Sequence, residues 1–278
     1  QTVFQDPILA RKKPEFAMKT KSGGIWRDYK GLAWVDPSNK EVWDYNIEIA
    51  KEAAKFGFDE INFDYVRFPS DGNMRDIYFP FSDNRVNKNP DTGKAEIVEE
   101  FFAYLHDGLK DIEVKTSADL FGMTTTNTDD LNIGQQMERA LPYFDYIAPM
   151  VYPSHYPKWF NGWENPNDHV YGVIKFSMDQ GGKRLVATTT TVQSIKSGSS
   201  LSTTTPIYAK ESYDPRKLRP WLQDFDYGGN YDIPEVRAQI QATYDAGLNS
   251  WMLWDPANRY TRGALKAATT TFGEQTFE

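Results

Sequence analysis

Residues 57 to 72 begin with a glycine that can end a helix, continue as an apolar strand and finish in a Pro-Ser-Asp-Gly turn. Strand side chains alternate between the two faces, so the pattern predicts two sets of three residues: Asn62, Asp64 and Val66 on one face, and Ile61, Phe63 and Tyr65 on the other. An acid at the end of such a strand is costly to bury. We therefore interpret Asp64 as a catalytic carboxylate.

The rest of the chain repeats this alternation of strand, loop and helix. Apolar spacing predicts strands at 3–4, 32–35, 114–120, 144–152, 218–225 and 250–254, and helices at 36–56, 95–110, 134–141, 168–180 and 234–246. Residues 71–93 are predicted to be a long polar loop. Pro149 is awkward inside a central strand and would suit a strand end. The alternation favours a parallel sheet with crossover helices.

Candidate functional residues recur where the predicted strands end: Asp64, Asp119, Tyr152, Asp224, Trp254 and Asp255. This pattern is typical of a (β/α)8 TIM barrel, an α/β fold whose site lies at the strand carboxyl ends. An open doubly wound sheet is the alternative, but no Gly-rich phosphate loop is present. About six strands are predicted where a barrel needs about eight, so we expect the first strands to be absent at the N-terminus of this chain.

We interpret residues 1–278 as one barrel domain with a Ser/Thr-rich insertion at about 181–213, which could form a hairpin. The opening residues, 1–5, are neither a signal peptide nor a translation start, which indicates a mature or trimmed form. No apolar run is long enough to span a bilayer.

Aromatic residues make up 15% of the chain, with 8 Trp, 16 Tyr and 17 Phe. Part of them must build the core, and the excess suits a sugar-binding cleft, because flat apolar sugar faces stack on rings. The net charge of −8 argues against a nucleic-acid partner. With no cysteine there is neither a disulfide framework nor a zinc-thiolate site.

The segment at 63–72, Phe-Asp-Tyr-Val-Arg-Phe-Pro-Ser-Asp-Gly, resembles a family of glycoside hydrolase domains designated domain of unknown function 4015. The resemblance extends to residues 31–37, 220–225 and 247–255, and so to nearly the whole chain. It implies a TIM-barrel hydrolase-like fold, exported or attached to the cell envelope, with a carbohydrate as substrate. The insertion at 181–213 is not part of that resemblance.

Glycoside hydrolysis needs two carboxyl groups that flank one bond. Asp64 is our candidate nucleophile and Asp119 our candidate acid/base, with Asp224 as its rival; Asp255 more closely resembles a turn residue. Arg67 could keep Asp64 ionised, bind substrate or form a plain ion pair. The remaining candidates for substrate binding are Trp34, Tyr152, His155, Trp221, Gln223 and Trp254.

Neither a metal nor another cofactor is predicted. The three histidines form no ligand-spaced pair, and a Gly-x-Ser-x-Gly elbow for a serine nucleophile is absent. The leading hypothesis is a glycosidase acting on a polysaccharide. Two alternatives remain open, a non-catalytic carbohydrate-binding barrel of the cell envelope and a structural envelope protein.

Overall fold

The computed structural model describes residues 1–192 and 207–265. Its strands are β1 (Lys19–Thr20), β2 (Glu60–Phe63), β3 (Ile77–Tyr78), β4 (Lys115–Phe121), β5 (Tyr146–Met150), β6 (Thr189–Thr191), β7 (Ile207–Ala209), β8 (Trp221–Gln223) and β9 (Met252–Trp254). Its helices are α1 (Pro7–Lys12), α2 (Lys40–Lys55), α3 (Asp83–Lys88), α4 (Gly93–Leu109), α5 (Met137–Ala140), α6 (Val170–Val186) and α7 (Ile233–Asp245).

A parallel sheet of five strands in the order β2-β4-β5-β8-β9 forms the centre of the fold. The N-terminal segment continues the sheet beyond β2, because Thr2 bridges Asp64 in parallel and the Val3 N–H donates to the Asp64 carbonyl at 3.0 Å. Together these elements form a curled half-barrel. The complete eight-stranded barrel stays a prediction.

The two faces of the sheet differ in chemistry. The outer face is apolar and fully buried, with Phe63, Ala118, Leu120, Ile147 and Leu222 in the core. Helix α4 packs on this face through aromatic rings; the Phe102 and Phe144 ring centroids lie 5.0 Å apart. The inner face carries mainly polar residues, so any chemistry of the sheet is concentrated there.

Pro149 lies inside β5, opposite Leu120 of β4, and not at a strand end as predicted. Its missing N–H falls on the β8 side, between the bond from Arg219 N–H to Ile147 O and the bond from Val151 N–H to Trp221 O. The ladder between β5 and β8 is sparse there, with one registered pair, so the sheet tolerates the proline.

Residues 71–93 contain structure that their polar composition concealed. Strand β3 pairs antiparallel with β1, and helix α3 lies within the predicted loop. The short strand predicted at 32–35 is not a regular strand in the structure, because within it only Ala33 and Val35 pair, each in an isolated bridge. Short elements of this kind depend on tertiary contacts more than on local pattern.

Helix α6 runs six residues beyond the predicted end at residue 180. Gly181 lies close to Leu218 and Thr125 there, and a Cβ at this position would lie 3.0 Å from the Leu218 side chain. Strands β6 and β7 then pair antiparallel, from Thr189 opposite Ala209 to Thr191 opposite Ile207. The part of the insertion between them, 193–206, lies outside the described residues.

Candidate active site

Asp64 follows β2 directly, at the point where the chain leaves the sheet. The next residue, Tyr65, has a left-handed backbone with φ of +56°, which is a strained conformation for an aromatic residue. The Tyr65 N–H donates to Asp64 Oδ1 at 2.6 Å, and no donor among the described residues contacts Oδ2. The turn therefore leaves one carboxylate oxygen of Asp64 available.

This turn also corrects the predicted alternation. The strand ends at Phe63, and the left-handed residue breaks the two-residue period. Val66 is fully buried, whereas Tyr65 is only partly buried and lies against Trp34 at a ring-centroid distance of 5.7 Å. Asn62 and Asp64 keep the predicted common face, but Val66 does not share their access to the cleft.

Asp119 lies in β4, with only 4% of its surface exposed. Its Oδ1 accepts two hydrogen bonds, one from Asn62 Nδ2 at 2.9 Å and one from Trp221 Nε1 at 2.7 Å. No donor within the described residues contacts its Oδ2, and this oxygen is not enclosed, so it opens to the cleft. Asp119 is thus held through one oxygen and free at the other.

The two carboxyl groups interact electrostatically, and their surroundings differ. Burial, and after it the charge of Asp64, raises the pKa of Asp119 to about 7. Burial also raises the pKa of Asp64, but the Tyr65 N–H and the charge of Arg67 oppose that shift. Asp119 is therefore the group that holds a proton near neutral pH, and Asp64 is the one that its neighbours help to ionise.

Arg67 lies under the pair, 7% exposed, in a box of aromatic rings. Its guanidinium carbon is 4.9 Å from the Trp34 ring centroid and 4.7 Å from that of Phe121. The guanidinium donates to the Phe68 carbonyl at 3.0 Å and forms no ion pair within 1–192 and 207–265. Its charge acts on Asp64 through space and not through a salt bridge.

Trp34, predicted to stack on sugar, is 2% exposed and donates its indole N–H to Asp28 at 3.0 Å. Its ring is part of the floor beneath Arg67 and is not offered to a ligand in this conformation. Trp254 is placed differently, because it is 41% exposed and its ring meets that of Trp221 edge to face, with centroids 5.9 Å apart. Trp254 can present a ring to a sugar.

Tyr152 is buried and lies near enough to Asp119 and Asp64 to interact with both electrostatically. Burial, with the charges of Asp119 and Asp64, raises the pKa of its phenol, so the hydroxyl stays neutral. His155 packs against Tyr152, at 5.4 Å between ring centroids, and against Tyr227, at 6.0 Å. Desolvation, and after it the charge of Lys30, lowers the pKa of His155.

Asp224 and Gln223 follow each other at the end of β8 and have other partners. Asp224 Oδ2 accepts the Thr261 N–H at 2.9 Å, while its Oδ1 is buried without a partner. Gln223 Oε1 accepts the Ser154 hydroxyl at 2.8 Å, and its amide donates to the Phe225 carbonyl at 3.0 Å. Both residues join loops around the rim, and neither hydrogen-bonds to Asp64 or Asp119.

Asp255 forms a turn, as its position before a proline suggested. Its Oδ1 accepts the N–H groups of Ala257 at 2.6 Å and Arg259 at 3.1 Å. Two contributors escaped the sequence reasoning: Asn62 and the indole N–H of Trp221, which both hold Asp119. The role of Asn62 could have been predicted, because the strand pattern places it on the same face as Asp64. The contact of Trp221 could not, because the sequence does not give distances between strands.

Among the residues that the structure describes, no group of three or more His, Asp or Glu side chains is arranged to hold a metal ion. No helix in the described ranges has the length and hydropathy to cross a membrane.

In this parallel half-barrel Asp64 directly follows β2 and Asp119 lies two residues before the end of β4, on the side of the strand carboxyl ends, where barrel enzymes carry their sites. The sequence matches, over residues 2–260, the family model DUF4015, whose description reads "Putative glycosyl hydrolase domain". The chain therefore belongs to this family, as the motifs had indicated. No significant match was found among curated proteins.

Several solved structures resemble the chain. A hypothetical protein from Ruminiclostridium thermocellum ATCC 27405 is 46% identical over 42% of this chain and 55% of its own, with a TM-score of 0.34. The PgaB (BpsB) glycoside hydrolase domain from Bordetella bronchiseptica is 14% identical over 81% of this chain and 61% of its own, with a TM-score of 0.51, a likeness of fold. The α-galactosidase TtGalA from Thermus thermophilus is 12% identical over 92% of this chain and 42% of its own, with a TM-score of 0.48.

This chain spans less than two thirds of the length of each of these three proteins.

Proposed function

We propose that this protein is a glycoside hydrolase that cleaves a polysaccharide with Asp119 as general acid and Asp64 as nucleophile. The observation that supports it best is the pair of unlike carboxyl environments. A glycosidase needs one protonated and one ionised carboxyl across a single bond. Here burial raises the pKa of Asp119, in β4, to about 7, whereas the upward shift in the pKa of Asp64 is opposed by the Tyr65 N–H and the charge of Arg67.

The chemistry follows from the two free oxygens. Asp119 Oδ2 gives its proton to the glycosidic oxygen as the C–O bond breaks, so the leaving sugar departs as an alcohol. Asp64 Oδ2 attacks the anomeric carbon and forms an ester. Asp119, now ionised, takes a proton from water, which hydrolyses that ester and restores both groups. If Asp64 instead activated water directly, the anomeric configuration of the product would invert.

The rim of the cleft supports an extended substrate. Three exposed aromatic rings lie at or after the ends of the last two strands of the sheet: Tyr227 after β8, 63% exposed, Trp254 at the end of β9, 41% exposed, and Tyr260 after β9, 38% exposed. Exposed rings of this kind offer stacking faces to sugars. A polysaccharide outside the cell or in its envelope is the substrate class we propose, with neither metal nor cofactor in the reaction.

The test is hydrolysis of a panel of polysaccharides, followed by reducing-end formation, for wild type, Asp64→Asn and Asp119→Asn. We expect each substitution to lower kcat about 10²–10⁴-fold. Asp145→Asn is the control, because Asp145 lies at the opposite end of the sheet in a bond with Lys115 at 2.8 Å. A full wild-type rate in Asp64→Asn would remove that residue from the mechanism. Glycan binding by an inactive wild type would favour the non-catalytic barrel.

A further inference from the structure

The polar inner face of the sheet holds a continuous chain of hydrogen bonds that ends on Asp119. Arg219, two residues before β8, donates to both oxygens of Glu60 at 2.6 Å. The Ser117 hydroxyl donates to Glu60 Oε1 at 2.6 Å. The Asn62 amide then donates to Ser117 Oγ and to Asp119 Oδ1, each at 2.9 Å.

In this series of hydrogen bonds, the donor and the acceptor of each bond are fixed. Glu60 is paired with a guanidinium and accepts, so the single hydroxyl hydrogen of Ser117 is committed to it. Ser117 Oγ can then only accept from Asn62. Since Asn62 meets acceptors at both Ser117 and Asp119, its NH₂ group must face them, which fixes the amide orientation. The indole N–H of Trp221 is likewise a donor and nothing else.

Two obligatory donors therefore converge on the same oxygen, Oδ1 of Asp119. A proton on that oxygen would oppose the Asn62 and Trp221 hydrogens, whereas a proton on Oδ2 meets no donor. We propose that Asn62 and Trp221 are positioning residues that confine the Asp119 proton to Oδ2, the oxygen open to the cleft, and that Ser117, Glu60 and Arg219 set the direction of Asn62. The inference builds on the role of Asp119 as general acid in the proposed function.

The same donors oppose the effect of burial. Hydrogen bonds to a carboxylate favour its charged form, so both side chains lower the pKa of Asp119 against the larger upward shift from burial and Asp64. Removing either donor should raise that pKa further. A loss at Ser117 should act in the same direction but less strongly, because it frees the Asn62 amide to rotate without deleting it.

The experiment is an NMR titration of Asp119 in protein labelled with ¹³C at aspartate carboxyl carbons, assigned by the signal missing from Asp119→Asn. We expect the pKa of Asp119 to rise by about one unit in Trp221→Phe and by less in Ser117→Ala. Trp43→Phe is the matched control, because it deletes an indole bond, to the Pro37 carbonyl at 2.6 Å, on remote helix α2. That variant should leave the Asp119 pKa unchanged.

A second readout is the Trp221 indole ¹H–¹⁵N signal in the wild type. It should titrate with the midpoint of Asp119 and keep its hydrogen-bonded shift on both sides, since Oδ1 accepts in either state. An Asp119 pKa unaltered in both Trp221→Phe and Ser117→Ala would overturn the proposal, as would an indole signal that loses its hydrogen bond when Asp119 is protonated.

Neither measurement requires enzymatic activity, so the two experiments can separate the positioning role from the proposed hydrolase function. Shifted pKa values in a protein that hydrolyses no glycan would support the positioning role and contradict the hydrolase. With an active enzyme, the descending alkaline limb of kcat/KM should move up in pH by the same amount as the NMR pKa in Trp221→Phe.

Discussion

Glu138 and Asp119 are both buried acids, yet their surroundings are opposite. Glu138 has no exposed side-chain surface and pairs with Arg184 through two bonds, at 2.8 Å and 2.6 Å, with a third from Thr190 at 2.9 Å. Arg184 in turn donates to two carbonyls. Asp119 has two donors on one oxygen, no ion pair with any described residue, and a second carboxylate near enough to raise its pKa.

The difference is the one expected between an acid with a structural role and the acids of a reactive site. The Glu138 cluster joins α5, α6 and β6, and the buried carboxylate is matched there by the Arg184 guanidinium and by hydrogen bonds. The Asp64–Asp119 pair leaves two carboxylate oxygens unused at the mouth of the half-barrel. Such an arrangement lowers stability where it occurs, and a folded protein keeps it at sites that bind or react.

The largest expected effect lies in the matched cluster. Arg184→Met would leave Glu138 buried without its cation, and we expect the free energy of unfolding to fall by about 3–5 kcal/mol. The measurement is urea denaturation followed by circular dichroism. The double variant with Glu138→Leu should recover much of that loss, because it removes the uncompensated charge.

Arg216→Met is the matched control for this change. Arg216 pairs with Asp214, but both side chains are more than half exposed, so the loss should be much smaller than in Arg184→Met. Equal losses in the two single variants would mean that the buried cluster is no more important to stability than a surface pair, and the comparison would fail.

The second effect is the pH dependence of stability that Asp119 introduces. Its folded-state pKa, about 7, lies above the unfolded value near 3.8, so the folded protein binds the extra proton between those pH values. Its contribution is therefore fully present below about pH 4 and is lost as pH rises through about 7. Asp119→Asn should be more stable than wild type at pH 8, by at most about 4 kcal/mol, with the difference vanishing near pH 4.

Thermal denaturation at pH 4, 6 and 8 measures this effect. Asn keeps an oxygen for Asn62 and Trp221, so the substitution removes the charge and leaves the hydrogen bonds possible. A variant less stable than wild type at pH 8 would contradict the idea that the cleft acid is held at a cost. It would make Asp119 resemble Glu138.

The sequence pattern predicted the central strands and the acids near their ends, because the two-residue period of a strand and an acid in an apolar segment can both be recognised in one sequence. It placed Asn62 with Asp64 on one face of their strand, and Ser117 with Asp119 on one face of the next. The hydrogen bonds from Asn62 to Ser117 and Asp119 agree with both placements. The left-handed turn at Tyr65 could not be predicted from the sequence, because this strained backbone depends on the N-terminal segment that hydrogen-bonds to Asp64 and to Tyr65 itself.

Contacts between residues of different strands could not be predicted from the sequence either. Trp221 was predicted to stack on sugar, but its indole donates to an acid two strands away, a contact set by the register of β5 on β8. Trp34 and Trp254 looked alike in sequence and differ in exposure, because only the first lies beneath the loop that carries Arg67.

That difference between two tryptophans gives the smallest of the expected effects. Trp254→Ala should raise KM about fivefold with kcat little changed, since one stacked ring contributes on the order of 1 kcal/mol to binding. Trp159→Ala is the control, because Trp159 is also exposed but lies on a separate turn between Pro157 and Gly162. Steady-state kinetics on the hydrolysed polysaccharide measures both. A fall in kcat with KM unchanged in Trp254→Ala would contradict a role in substrate binding. It would mean that the ring acts on the transition state, through its contact with Trp221 and so through Asp119.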